Sequence, residues 1–236
     1  MNTVVSSVKL HLNKRESTLL VPLYITALVA LVSVLISLMF LRSGSVPGSA
    51  VWVESSRYNP GLVYALVGFL GYLGVQSVGT TFPFALTLGA TRRALASGTL
   101  LWAAIMSGYL TIVFGVLTMI EKATGHWFSN FYIFDVNVLG AGDLTRLIPI
   151  VFLGTLTILT LGGVFAAAWV RFGSRGPVTL AVAVVLVILV GLIIVIPSMA
   201  EIVAAFQLWW LAIAAVVIVA LSAMGSWLLL RSAIVP

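Results

Sequence analysis

Six long apolar stretches constrain this chain more than any other feature of its sequence. They cover about residues 19–41, 60–80, 94–120, 147–170, 177–197 and 206–230. A helix of about 20 apolar residues crosses the roughly 30 Å hydrocarbon core of a bilayer. Only helices and closed barrels satisfy their backbone hydrogen bonds there, and no stretch shows the alternation of a barrel strand. The sequence therefore predicts an all-α integral membrane protein with six transmembrane helices, in one transmembrane domain over residues 1–236.

The composition and the missing motifs narrow the function classes. Charged residues make up 8% of the chain, against about a quarter in soluble domains. The sequence has no cysteine, no GxxxxGK[ST] phosphate loop, and no HExxH or carboxylate cluster for a metal. No acidic residue lies in the middle of a span, which disfavours a proton-coupled carrier. We expect a chain that is not an enzyme, with no catalytic residue, metal or cofactor of its own.

The distribution of Lys and Arg predicts the orientation. The segments that flank the spans alternate between the two sides of the membrane and so form two sets. The first set of flanks, on the side of the N-terminus, carries eight basic residues and one acidic residue, a net charge of +7. The second set carries four basic and five acidic residues, a net charge of −1. The basic residues of the first set are Lys9, Lys14, Arg15, Arg92, Arg93, Arg171, Arg175 and Arg231. Because such flanks stay in the cytoplasm, both termini are expected to be cytoplasmic. Scattered between spans, these charges suit anionic lipid and not nucleic acid.

The segments between the spans carry further signals. The two longest, residues 42–59 and 121–146, fall on the outer side. The second holds Trp127, Phe128, Phe131, Tyr132 and Phe134, which predicts an interfacial aromatic belt, with a substrate-exit or partner-binding surface as the alternative. A capping-box pattern at Ser198–Glu201 predicts a short outer helix over Met199–Ala205.

Residues 80–93 form the most informative segment. Thr81 can cap a short helix, Pro83 suits its first turn and Gly89 suits its end. Thr91 can then cap the following span. The segment predicts a short helix at the inner membrane surface that is followed by two arginines. The alternative is an ordinary helical turn with basic anchors.

The stretch FPFALTLGATRRALASGTLL, from Phe82 onward, resembles the loop between the second and third spans of permease subunits of bacterial ABC-2 type transporters. The resemblance implies a cytoplasmic coupling helix over Phe82–Leu88 that docks on a separate ATP-binding subunit. The contact residues it implies are Phe82, Pro83, Phe84, Leu86, Leu88, Gly89, Thr91, Arg92 and Arg93. The partners it implies are two ATP-binding subunits, which hold ATP and Mg, and a second permease copy or paralogue in the bacterial plasma membrane.

The resemblance also implies an N-terminal interfacial elbow helix over Val4–Ser17, with Lys9, Lys14 and Arg15. Val5, Val8 and Leu12 recur there at helical spacing, which is typical of an amphipathic helix lying on a membrane.

Small and polar residues mark the second span. Gly68, Gly71, Gly74 and Ser77 recur every third residue, a stripe that allows close helix packing within the chain or against a second copy. Gln76 is the most polar side chain deep in any span, and an amide without a partner costs about 2–7 kcal/mol in hydrocarbon. Gln76 and Ser77 are therefore candidates for a translocation path, with an ordinary interhelical hydrogen bond as the alternative.

Together these features predict the transmembrane subunit of an ABC exporter that moves a hydrophobic or amphiphilic substrate. The alternative is a non-transporting membrane scaffold or accessory subunit of a signalling or envelope complex, which the lack of acidic residues within the spans also allows. The spans lack the polar stripe that would line a passive channel.

Overall fold

The computed structural model describes residues 4–13 and 16–233, in which ten α-helices and no strand occur. The helices are α1 (Val4–Leu12), α2 (Val21–Arg42), α3 (Ala50–Arg57), α4 (Gly61–Gly79), α5 (Thr81–Thr87), α6 (Arg92–Ala123), α7 (Leu144–Phe172), α8 (Arg175–Val195), α9 (Met199–Ala205) and α10 (Leu208–Arg231).

Six of these helices account for the predicted spans. α2, α4, α6, α7, α8 and α10 lie in the six helical segments that are long and apolar enough to cross a membrane. Each predicted span falls on one of them, with boundaries that differ by a few residues. The all-helical, six-span prediction is confirmed, and the chain has the make-up of a multi-pass membrane protein.

α7 lies at the centre of the packing, with its most extensive contacts to α4, α10 and α6. α4 and α7 meet through glycines: a Cβ on Gly74 would lie 2.5 Å from the carbonyl oxygen of Leu159, and one on Gly162 would lie 2.6 Å from that of Gly71. Only glycine permits this approach, which is how helices associate closely in lipid. The intrachain alternative is therefore confirmed for Gly71 and Gly74, whereas a Cβ on Gly68 would meet no described residue within 4 Å.

The helices define two ends of the molecule. At the α5 end lie α1, α5, the start of α6, the turn between α7 and α8, and the last turn of α10. At the α3 end lie α3, the segment 124–143 and α9. The basic residues that predict a cytoplasmic flank belong to the α5 end, apart from Lys14 and Arg15, which lie outside the described residues.

The α3 end differs from the prediction. Helix α3 was not expected, and it begins where the Ser49 side chain accepts a hydrogen bond from the Trp52 backbone N–H.

The prediction of an interfacial aromatic belt is wrong for most of the five aromatic residues. Phe131, Tyr132 and Phe134 are buried, Trp127 is half-buried, and Phe128 is 86% exposed. These rings pack inward because the segment 124–143 folds back over the bundle, where Ile133 and Phe134 join the core formed by α4, α6 and α7.

Helix α9 occupies Met199–Ala205 as predicted, but not through a capping box. Ser198 makes no side-chain hydrogen bond to the helix, and a 3-10 turn over Ile196–Ser198 continues directly from α8. Ser198 therefore lacks the extended backbone that a capping serine adopts.

Candidate functional site

The segment between α4 and α6 builds a short helix with defined ends. The end of α5 is closed by the Ala90 N–H, which donates to the Ala85 carbonyl, with Gly89 at a φ of +76° between them. That conformation favours glycine at a helix end. The Thr91 hydroxyl accepts from the Ala94 N–H and caps α6, as predicted. Thr81 is not the cap of α5, because it already lies in the helix and its hydroxyl donates to the Gln76 carbonyl.

Helix α5 has a buried face and an exposed face. Phe82 and Ala85 are 1% and 0% exposed, in a cluster with residues of α4, α6, α7 and α10. Phe84 and Leu88 are 54% and 49% exposed. Among the predicted contact residues, Pro83 and Leu86 are half-buried and Gly89, Thr91 and Arg93 are exposed. The structure thus divides that set: Phe82 anchors the helix, while Phe84 and Leu88 are presented to the surroundings.

The two adjacent arginines have different environments. The Arg92 guanidinium donates to the carbonyl oxygens of Leu230 and Arg231, at 2.7 and 3.0 Å, and so closes the end of α10. Arg93 is exposed, and its guanidinium has no hydrogen bond or ion pair within residues 4–13 and 16–233. Arg92 therefore stabilises the helix packing, whereas Arg93 is available to a ligand or partner.

Helix α1 packs on α6 through its buried residues Ser7, Val8 and His11. Val5, one of the three residues predicted to face the membrane, is 60% exposed. A Cβ on Gly98 of α6 would overlap Ser7, so the close contact of these two small residues determines which face of α1 packs against α6. Lys9 is exposed at this end. Lys14 and Arg15 lie outside the described residues, and an elbow lying on the membrane stays a prediction.

His11 makes a contact that the sequence does not signal. Its Nε2 lies 3.0 Å from the Thr99 hydroxyl of α6, and its ring stacks on Trp102 with a centroid distance of 5.1 Å. The histidine is buried. This contact fixes α1 beside the first turns of α6.

A cavity of about 340 Å³ lies next to α5, between α4, α6, α7 and α10. Its wall includes Ser77, Phe82, Arg93, Trp102, Leu159 and Trp227. A smaller cavity of about 160 Å³ lies behind it, between α1 and α4, and includes Gln76 and His11. Ser77 and Trp102 contribute to both cavities. The larger cavity is mostly apolar, with a few polar groups, as is usual for small-molecule sites.

The structure places the two predicted path residues at these cavities. The Gln76 side-chain amide donates to the Tyr72 hydroxyl at 2.9 Å and accepts from the Thr80 hydroxyl at 2.9 Å. The Ser77 hydroxyl donates to the Gly74 carbonyl at 2.7 Å. These bonds within the same helical segment satisfy both side chains, so neither needs a transported ligand as a partner. Their role in a path stays a prediction.

The α3 end holds a charged cluster that the sequence reasoning missed. Glu121, one of the five acidic residues in the set of flanks with a net charge of −1, is fully buried. Its carboxylate accepts from the backbone N–H groups of Ile133, Phe134 and Asp135 and from the Trp127 indole, at distances of 2.8 to 3.3 Å. Glu121 follows Phe114 by seven residues on the buried face of α6, and that spacing is the signal that could have identified it.

Asp135 is the second buried acid of this cluster. Its Oδ2 lies 2.8 Å from Arg57 Nη2 of α3 and 3.0 Å from His126 Nε2. Burial raises the pKa of Asp135, but the hydrogen bonds from Arg57 and His126 outweigh it and hold the pKa below its usual value. Arg57 also lies over the Tyr132 ring, 5.3 Å from its centroid. The cluster thereby joins α3 to the segment 124–143.

The groups at the α5 end favour anions over metal ions. Arg93 and several hydroxyls surround the larger cavity, and none of the acidic residues that the structure describes contributes to its wall. Within the described part of the chain, no group of three or more His, Cys, Asp or Glu side chains could hold a metal.

Comparison of the chain with protein-family models, with curated proteins and with solved structures finds no match. The functional argument therefore depends on the residues and their geometry.

Proposed function

We propose that this chain is the transmembrane permease subunit of an ATP-driven ABC exporter in the bacterial plasma membrane. The observation that carries the proposal is helix α5, which is anchored by Phe82 and presents Phe84 and Leu88 at the end where the basic residues gather. Two large apolar side chains exposed outside the predicted spans favour a protein contact. The resemblance of this segment to the coupling loop of ABC-2 permeases supplies the kind of partner.

The basic flanks support the orientation that the proposal needs. The α5 end carries the net positive flanks, so the positive-inside rule places it in the cytoplasm together with both termini. Phe84, Leu88 and Arg93 then face the compartment in which ATP-binding subunits reside.

Energy for transport comes from two separate ATP-binding subunits, on which ATP and Mg are bound. Closure of those subunits against each other moves α5. Phe82 packs in one cluster with residues of α4, α6, α7 and α10, so displacement of α5 reaches four spans at once. This is a direct mechanical route from a docked subunit to the helices that surround the cavity.

A second permease copy or a paralogue completes the assembly. In α8 every residue except Gly176 is at least partly exposed, and its most extensive contact is with α7. Lipid and a second copy both suit such an apolar surface. The apolar character of the larger cavity favours a hydrophobic or amphiphilic substrate.

Co-purification tests the proposal. A tagged chain isolated from its native membranes is expected to bring down an ATP-binding protein, and the double variant Phe84→Asp and Leu88→Asp is expected to lose it. The matched control is Val46→Asp with Val51→Asp, which changes two residues of similar exposure, 66% and 75%, near the α3 end. Size-exclusion chromatography verifies that both variants remain folded.

Two results would contradict the exporter. Either no ATP-binding protein accompanies the wild-type chain, or the α5 double variant retains as much of it as the Val46 and Val51 control. The scaffold alternative predicts that a sensor or envelope-assembly protein is captured in its place.

A further inference from the structure

The larger cavity opens between two helices instead of being enclosed by them. α10 packs extensively along α7 but contacts α6 much less. The contact with α6 includes the bonds from Arg92 to the last carbonyls of α10. Ser97 and Leu100, which belong to the cavity wall, are exposed on α6. Because Ser97 and Leu100 lie within a predicted span, the opening faces the bilayer.

The cavity combines an apolar interior with a free cation at its edge. Val78, Leu95 and Leu159 contribute apolar wall, and Arg93 contributes to the wall at the α5 end. The Arg93 guanidinium has no partner within the described part of the chain. A guanidinium binds phosphate or carboxylate oxygens through paired, charge-assisted hydrogen bonds. The arrangement therefore matches a molecule with an apolar chain and an anionic head.

Trp102 places an aromatic ring in the cavity wall, and the residue is 3% exposed. Its indole N–H is buried and finds no acceptor among residues 4–13 and 16–233, so the cavity does not reach that donor. The ring therefore adds apolar wall, which suits an acyl chain, and its fluorescence can report a ligand that enters the cavity.

We propose that this cavity is a binding site for an anionic phospholipid from the leaflet at the α5 end. One acyl chain enters between α6 and α10, and the phosphate lies at Arg93. A volume of about 340 Å³ is at the small end for ligand sites, so the second acyl chain stays in the bilayer. The basic residues of this end raise the local concentration of anionic lipid. The cavity is the one from which the apolar character of the substrate was argued, but lipid binding requires only this chain and the membrane, so it can be tested without ATP-driven transport.

Fluorescence quenching tests the site. The chain is purified alone in uncharged detergent and titrated with phosphatidylglycerol whose acyl chains carry bromine, which quenches tryptophan on contact. Phosphatidylcholine with the same chains is the neutral comparison. We expect saturable quenching by phosphatidylglycerol that is largely lost when Trp102 and Trp227 are both changed to Phe. The same midpoint for both lipids would overturn the proposal.

The arginine variants test the head-group contact. Arg93→Ala is expected to shift the phosphatidylglycerol midpoint by about tenfold, the effect of losing a hydrogen bond to a charged group. The control is Arg175→Ala, which removes the same charge from an exposed residue at the same end and outside the cavity wall. Its midpoint should equal that of the wild type. Equal midpoints for the two variants would overturn the proposal.

Filling the cavity tests the acyl-chain contact separately. Ala223→Phe, on the α10 wall, is expected to abolish the saturable quenching, whereas Ala183→Phe on the exposed surface of α8 leaves it unchanged. Unchanged quenching in both variants would overturn the site. No ATP-binding subunit is present in these measurements, so their failure is distinct from failure of the exporter proposal.

Discussion

The two ends of this molecule use charge in opposite ways. At the α3 end, Glu121 and Asp135 are buried and accept hydrogen bonds that join the segment 124–143 to the helices. At the α5 end, the side chains of Arg93 and Arg175 are exposed and have no partner among the described residues. The comparison teaches that charge at the α3 end stabilises the fold, whereas Arg93 and Arg175 at the α5 end make no such contribution within the described residues.

The physical reason is the cost of desolvation. A buried carboxylate is tolerated only when hydrogen bonds replace the water that it loses. Glu121 obtains its bonds from backbone N–H groups and an indole, and Asp135 obtains its bonds from Arg57 and His126. An exposed guanidinium keeps its water and pays no such cost. Substitutions at the two ends should therefore differ in their effect on stability.

The largest effect is expected for Glu121→Ala. The change leaves the backbone N–H groups of Ile133, Phe134 and Asp135 and the Trp127 indole N–H without their acceptor. Each such group costs about 1–3 kcal/mol, so we expect a loss of about 4 kcal/mol in the free energy of unfolding. Thermal unfolding in detergent and proteolysis of the segment 124–143 measure it. Glu54→Ala is the control, because Glu54 is exposed at the same end, and equal losses in the two variants would contradict the comparison.

A smaller loss is expected for Asp135→Asn. The substitution keeps the shape of the side chain but removes the charge that faces Arg57 and His126. Because Asp135 is 2% exposed, we expect a loss of about 2 kcal/mol in the free energy of unfolding. Asp143→Asn serves as the control, since Asn caps a helix about as well as Asp. A double-mutant cycle with Arg57→Ala measures the pair directly, and additive losses would show that the ion pair contributes nothing.

The same ion pair predicts a dependence on pH. The folded-state pKa of Asp135 lies below its unfolded value, so its contribution is complete above about pH 4 and is lost as the pH falls through the folded pKa. We expect protease protection of the segment 124–143 to be equal at pH 7 and pH 5 and to decrease below about pH 4. Glu121, His126 and Tyr132 also belong to this cluster, so the diagnostic quantity is the difference between wild type and Asp135→Asn. That difference should shrink with acidification, and a difference that stays constant would contradict the assignment.

Features set by local sequence could be predicted. The six spans follow from apolar length, the end of α5 follows from Gly89, and the start of α6 follows from Thr91. Each depends on residues within one or two turns of the feature itself. The division of α5 into a buried and an exposed face was not predicted, because it depends on α7 and α10, which lie far along the chain.

Features that depend on distant contacts were missed. Arg57 and Asp135 are 78 residues apart, and His11 and Thr99 are 88 residues apart. A hydropathy scale treats Glu121 as a surface charge because the scale does not account for the hydrogen bonds that backbone N–H groups donate to its carboxylate. The cavity was likewise missed, since it depends on how far α10 stands from α6. Folding of a segment onto the bundle cannot be read from the residues of that segment alone.

The smallest effect, and the finest test of the comparison, concerns the two neighbouring arginines. Arg92 donates to the carbonyls of Leu230 and Arg231, which belong to the last turn of α10, where the ordinary helical hydrogen bonds end. The Leu230 carbonyl also accepts from the Ala233 N–H, at 3.4 Å. It also places a positive charge at the negative end of the α10 dipole. Arg92→Ala should therefore cost about 1 kcal/mol in the free energy of unfolding, because the contact is only partly buried. Arg93→Ala should change it by less than about 0.5 kcal/mol, as expected for an exposed side chain without a partner.

Chemical unfolding of the two variants in the same uncharged detergent decides between these values. The pair is well matched, since both changes remove one guanidinium from consecutive residues of α6. Equal losses would mean that the α5 end also uses Arg93 for stability, and the distinction between the two ends would fail. A loss of stability confined to Arg92→Ala, combined with lipid binding that is weakened only in Arg93→Ala, would show stabilisation and binding divided between adjacent residues of one helix.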